Sequence, residues 1–345
     1  MAVYTTIDDA EAYFQVKTYT GTGSSHAITL DGDTDMQPDF TWIKARGATT
    51  DHVLYDAVRG VTKSLHSNTN DAEDTQADGL TAFGTDGFTV GADSKSNATS
   101  GTFVAWNWKA GTTSGIAGSP SITPTSYSFN ATSGCSIIAY DGTGVAATLP
   151  HGLGVAPKAI FVKRLDAAND WLVYHEKLGA TKFLLLEHNS AESTSSTAWN
   201  DTAPTSTLFS IGDRNEVNNS SGNYVAYCFA GKQGFSKFEG YTGNGNADGV
   251  FNYTGFKPAY VMFKRTDDAE SWIMTDDKRD PFNPTIAYLL ANRDNAGTTG
   301  VDIDFCANGF KITTTSQNES SADYVYFAFA HSPFVNSNGV PTNAR

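Results

Sequence analysis

Phe103-Val-Ala-Trp-Asn-Trp108 returns twice further along the chain, as Tyr224-Val-Ala-Tyr-Cys-Phe229 and as Tyr324-Val-Tyr-Phe-Ala-Phe329. Successive side chains point to opposite faces of a strand, so Trp106 and Trp108, Tyr227 and Phe229, and Phe327 and Phe329 each share a face. Rings of that size bury large areas between layers, and each run reads as the closing strand of a β unit. Core packing is the expected role of all six, against the alternative of an exposed stacking platform for sugars.

Two further landmarks precede each closing strand in the same order. One is Tyr19-Thr-Gly-Thr-Gly23, which returns as Tyr140-Asp-Gly-Thr-Gly144 and Tyr241-Thr-Gly-Asn-Gly245. The other is a proline leading into an apolar run that ends in lysine: Pro38 to Lys44, Pro157 to Lys163 and Pro258 to Lys264. Their near-constant spacing makes a threefold internal repeat, and a repeat determines the fold before any single element does. Short runs rich in Val, Ile, Phe, Tyr and Thr, bounded by Gly, Asn, Asp and Ser, recur between the landmarks, while helical periodicity is nearly absent. The fold class expected is all-β: three tandem β-sandwich, jelly-roll-like repeats with a short N-terminal anchor segment. The boundaries are an anchor over 1–13, repeats over 14–111, 135–233 and 234–334, a linker with a short strand over 112–134, and a tail over 335–345. Ile7 to Tyr13 reads as a helix with Thr6 as its N-cap.

Composition narrows the partners. Lys+Arg number 23 against 37 Asp+Glu in 345 residues, a formal net charge of −14. That balance opposes nucleic acid, whose phosphates are neutralised by clustered Lys and Arg. No apolar stretch approaches the roughly 18 residues that span a bilayer, and the acidic N-terminus lacks the pattern of a signal peptide, so neither membrane insertion nor export is expected. Cys135, Cys228 and Cys306 stand about a hundred residues apart, which suits neither a disulfide framework nor a zinc site.

Few residues suggest chemistry. Asp31, Asp33 and Asp35 resemble the opening of a calcium loop, but Met36 and Trp42 occupy the positions where an EF-hand needs Gly and Glu. A looser Ca2+ site in a β-loop stands beside a solvated acidic turn as the reading of this run, and no other cofactor is expected. Lys44, Lys163 and Lys264 could meet an anion, although a lysine that lays its methylenes along a sheet with its ammonium in water is the expectation. His151 has no counterpart in the other repeats and reads as a turn residue. Asp56, His175 and Asp276 form a column without the matched pair of carboxylates that glycoside hydrolysis requires.

Several longer strings carry a resemblance: Pro38-Asp-Phe-Thr-Trp-Ile-Lys-Ala-Arg46, Tyr55-Asp-Ala-Val-Arg-Gly60, Asp86-Gly-Phe-Thr-Val-Gly91, His151-Gly-Leu-Gly-Val-Ala-Pro157 and Gly234-Phe-Ser-Lys-Phe-Glu-Gly240. From about Tyr4 to Arg345 the chain resembles the repeat-containing virion structural and tail fibre proteins of marine tailed bacteriophages. The resemblance implies a particle component assembled in the host cytoplasm, with other virion proteins as partners, and it transfers no catalytic residues. Because phage fibres are commonly trimers, a homotrimer is expected, with its loops contacting a host surface glycan or protein. The role expected is a non-enzymatic tail fibre or receptor-binding protein. The alternatives are a capsid decoration or head-fibre protein and, as an enzyme, a polysaccharide depolymerase.

Overall fold

A computed structural model describes residues 4–342. The chain is nearly all β, and its framework is three main sheets, each built around four strands. The first sheet holds β1 (Phe14–Thr20), β2 (Phe40–Ala45), β3 (Val53–Asp56) and β4 (Thr102–Trp108). The second holds β5 (Cys135–Asp141), β6 (Ala159–Arg164), β7 (Leu172–His175) and β8 (Asn223–Phe229). The third holds β9 (Ser236–Thr242), β10 (Phe256–Arg265), β11 (Ile273–Asp276) and β12 (Asp323–Pro333). Strand order is β1-β4-β2-β3, β5-β8-β6-β7 and β9-β12-β10-β11. Register repeats as well: Trp106 lies opposite Val16 and Trp42, Tyr227 opposite Ile137 and Phe161, and Phe327 opposite Phe238 and Met262.

The two faces of each closing strand enter different surroundings. Phe103 and Ala105 of β4 face a core private to the first unit, and Tyr224, Ala226 and Cys228 of β8 face one private to the second. These private cores lie under small second sheets, such as Ala147–Pro150 paired with Leu208–Ile211. In the third unit the second layer joins the main sheet through Thr285–Leu290, giving eight continuous strands. The opposite, aromatic face of all three closing strands enters one common core. Trp108, Phe229 and Phe329 form a closed triangle there, with ring centroids 5.6, 5.8 and 6.0 Å apart. The three units therefore do not close on themselves: in the first two a small second layer covers one face, and the aromatic faces of all three pack together in the common core.

The linker contributes the expected short strand, Ser126–Asn130, which extends the second sheet beside β5. The N-terminal expectation is corrected. Only a three-residue 3-10 turn forms, Ala10–Ala12, capped by the Asp9 side chain rather than by Thr6. A seven-residue helix would gain little for its nucleation, whereas burying Ile7, Ala10 and Phe14 in the common core fixes the segment directly. Residues 4–13 also dock where the second and third units meet: Tyr4 Oη donates to the Gly255 carbonyl (3.1 Å) and Thr5 Oγ1 to that of Gln233 (2.8 Å). Asp8 meets Ser337 of the tail. Residues 1–3 of the expected anchor and 343–345 of the tail lie outside the described residues. No helix among the described residues is long and apolar enough to cross a membrane.

Candidate functional site

The three units are joined by contacts that repeat cyclically, and these fix most of the residues that could have served chemistry. His52, Trp171 and Trp272 open equivalent strands. Trp171 Nε1 donates to the His66 carbonyl (2.9 Å) and Trp272 Nε1 to that of Leu185 (2.8 Å). His52 closes the ring: its Nδ1 accepts from Trp42 Nε1 (2.8 Å), which leaves Nε2–H to donate to the Leu290 carbonyl at 3.0 Å. Burial lowers His52 to about 3, so the ring is neutral. Backbone bonds follow the same circuit: Gly297 N–H to Arg46, Glu73 N–H to Leu165 and Glu192 N–H to Thr266, each 2.8 Å to the carbonyl oxygen.

A second ring uses the Asp56, His175 and Asp276 column. Asp56 accepts from Tyr227 Oη of the second unit (2.7 Å) and is bound by Arg59 (2.5 Å). Asp276 accepts from Trp106 Nε1 of the first unit (3.1 Å) and is bound by Arg279 (2.6 Å). Both carboxylates are fully buried, which leaves neither free to flank a glycosidic bond. His175 faces Phe327 of the third unit edge-on, 5.1 Å between centroids.

The three lysines are also committed inside the fold. All are buried, contrary to the expectation of a wet ammonium. Lys44 Nζ donates to the carbonyls of Ala45 (2.8 Å) and Ala48 (3.3 Å), Lys163 to those of Asn169 (2.8 Å) and Asn70 (3.1 Å), and Lys264 to those of Arg265 (2.5 Å) and Asp268 (3.4 Å). Burial lowers each to about 8. They tie loop backbone rather than bind an anion. His151 is a buried turn residue, its Nδ1 accepting from Leu153 N–H and its Nε2–H donating to the Thr205 carbonyl. Asp31, Asp33 and Asp35 are exposed and Asp31 pairs with Lys17. Among the described residues their carboxylates do not converge as a ligand set; one that does is elsewhere, formed by Asp170, Glu187 and His188.

Two of the open pockets bear on function. The first, of about 430 Å³, lies between the units and is lined by equivalent loop positions from each: residues 68–69, 187–189 and 292–294. Asn68 Oδ1 accepts from His52 N–H (2.9 Å) while its Nδ2 donates to Asp51 (2.8 Å). Asn292 likewise accepts from Trp272 N–H (3.0 Å) and donates to Ser271 Oγ (3.3 Å). Glu187 holds the same place in the second unit and accepts from Trp171 N–H (3.1 Å). Burial, with the hydrogen-bonded Asp170 acting in the same direction, pushes its carboxyl up to about 9.

The second pocket, about 590 Å³, lies on the third unit, with Thr342 of the tail on its wall. Phe282 stands at its rim, 81% exposed. Asn283 fixes the loop through reciprocal bonds with the Phe305 backbone (2.8 and 2.9 Å), and Asp280 accepts from Ile286 N–H at 2.7 Å. Asp277 accepts from His331 Nδ1 (2.8 Å) through one carboxylate oxygen, while the other is buried without a partner among the described residues. Sequence reading passed over this loop, yet a signal was present. Asp56 to Leu65 and His175 to Leu184 each span nine positions, whereas Asp276 to Leu289 spans thirteen. The extra residues include Pro281, Phe282, Asn283 and Pro284. The cleft offers an aromatic face and hydrogen-bond acceptors on a braced loop, a set suited to holding a ligand.

One family model, that of a domain of unknown function (DUF7483), matches residues 9–333. No curated protein matches the chain.

Proposed function

We propose, from the premise that the chain belongs to the DUF7483 family, that it is a non-enzymatic structural protein of a bacteriophage particle. In this reading it is a tail fibre or tail-associated receptor-binding component, assembled in the host cytoplasm among other virion proteins. Three copies of one β-sandwich module form its scaffold, and the third copy contacts the host surface. The phage assignment rests on the strings quoted above. The recognition role rests on a single structural observation: the loop found only in the third unit raises Phe282 to 81% exposure beside a cleft of about 590 Å³. An exposed aromatic ring at a pocket rim offers a face for stacking, and loops on rigid scaffolds usually carry recognition. A ring there covers the apolar face of a sugar or a small side chain while the neighbouring carboxylates accept its hydroxyl or amide hydrogens. The expected homotrimer would multiply such contacts, using surfaces outside the common core.

Labelled protein added to host cells tests the reading. Wild type should bind saturably, and Phe282→Ala should bind at least tenfold more weakly with unchanged thermal unfolding. Equal binding by the two proteins would remove the cleft from recognition. Absence from purified particles would overturn the virion assignment.

A further inference from the structure

The pocket between the units contains a mismatch that the internal symmetry makes visible. Three equivalent side chains, Asn68, Glu187 and Asn292, accept a backbone N–H from the strand below. In the first and third units the remaining amide N–H turns to a neighbouring oxygen, on Asp51 and Ser271 respectively. The second unit has a carboxyl where its sisters have an amide, and the neighbour is Asp170, another carboxyl. With both groups ionised, acceptor faces acceptor, so the position holds either a proton shared between the carboxyls or a cation between them.

The next residue is also distinctive. His188 replaces Thr69 and Arg293 of the other units, and ligand atoms of Asp170, Glu187 and His188 all lie within 4.8 Å of one another. Two carboxylates and an imidazole make a donor set for first-row divalent metals, with nitrogen and oxygen together favouring Zn2+ or Mn2+ over Ca2+. Asp51 and Asp294 add negative charge to the pocket wall, opposed by Arg293 and by Lys163 below. The pocket's volume, about 430 Å³, leaves room for waters to complete the coordination.

We propose that this pocket binds one divalent metal ion, Zn2+ or Mn2+, on Asp170, Glu187 and His188, where the other two units use an amide N–H. The ion would link Asp170, before strand β7, to the loop after Lys182–Leu185, stiffening the second unit where it abuts its neighbours. The inference is independent of the phage reading.

The test uses the full chain, stripped with a chelator and returned to Zn2+ or Mn2+. Calorimetry should count one ion per chain, and the melting temperature should rise with the logarithm of free metal, as for any ligand of the folded state. Glu187→Asn installs the side chain its sisters carry, so it should fold, show a native circular dichroism spectrum and lose the metal-dependent rise. His188→Ala, at an exposed position, should weaken binding at least tenfold. Absence of heat and of a melting shift for both metals at millimolar concentration would overturn the proposal and leave a shared proton between the carboxyls. An equal shift in both variants would overturn it too, by placing the ion elsewhere.

Discussion

The junction between the first and second units and the junction between the second and third occupy equivalent places and are built from opposite chemistry. At the first, Tyr227 Oη, Asp56 and Arg59 form a buried polar chain. At the second, Phe327 replaces the tyrosine, His175 the aspartate and Leu178 the arginine. Where the closing strand presents a donor, its neighbour provides a carboxylate and a balancing guanidinium; where the ring has no donor, charge is absent. The junction between the third and first units follows the polar rule, with Trp106, Asp276 and Arg279. At these junctions the three positions change together, so that each buried carboxylate keeps both its donor and its guanidinium.

Breaking one set should have the largest effect. Asp56→Ala leaves the Arg59 guanidinium buried without its main partner and should lower stability by about 3–5 kcal/mol in urea unfolding. The same substitution at Asp276 should match it, since Arg279 is equally enclosed.

Acid acts on buried histidines, His175 at the apolar junction and His52 between the third and first units. His175 is lowered by burial from the ordinary 6.5 to about 4, and His52 to about 3. Below pH 6.5 the unfolded chain takes up protons that these folded rings refuse. The stability they permit is therefore complete above 6.5 and falls as pH approaches 4. When complete, that loss is about 3 kcal/mol for His175, reached near pH 4, and about 5 kcal/mol for His52, reached only near pH 3. Urea midpoints measured from pH 7.5 to 4 should decline along this window, and His175→Gln should make the decline shallower.

Smaller changes sharpen the comparison. Phe327→Tyr puts a hydroxyl against His175 with no carboxylate to receive it and should destabilise by about 1–3 kcal/mol. Adding His175→Asp and Leu178→Arg converts the junction to the polar form and should recover most of that loss. Tyr227→Phe, which removes a hydrogen bond to a charged acceptor, should cost about 1.5–3 kcal/mol. Smallest of all is Phe282→Ala, expected within about 0.5 kcal/mol of wild type because the ring packs on little.

Much of the framework was legible. The apolar runs after Pro38 and Pro157 form β2 and β6, Pro258 to Lys264 falls in β10, and the closing runs are β4, β8 and β12. Period-2 alternation also placed Trp106 and Trp108 on one buried face. Alternation assigns residues to a face but does not say what that face meets, so the common core was invisible until the units were arranged around it. The lysines illustrate the same limit: a lysine ending an apolar run suggests a wet ammonium, and only the loop curling over Lys44 supplies the carbonyls that replace water. Glu187 was passed over because an acidic residue in an acidic chain is unremarkable. Its meaning comes from standing in a column with Asn68 and Asn292.

Linear repeat proteins fray from their ends, where the terminal unit touches one neighbour only. Here His52 of the first unit bonds to Leu290 of the third, so the circuit has no terminal member. Releasing any one unit breaks two junctions and uncovers the aromatic triangle. Amides in all three sheets should therefore exchange with solvent deuterium through one concerted opening, rather than in an order running along the chain.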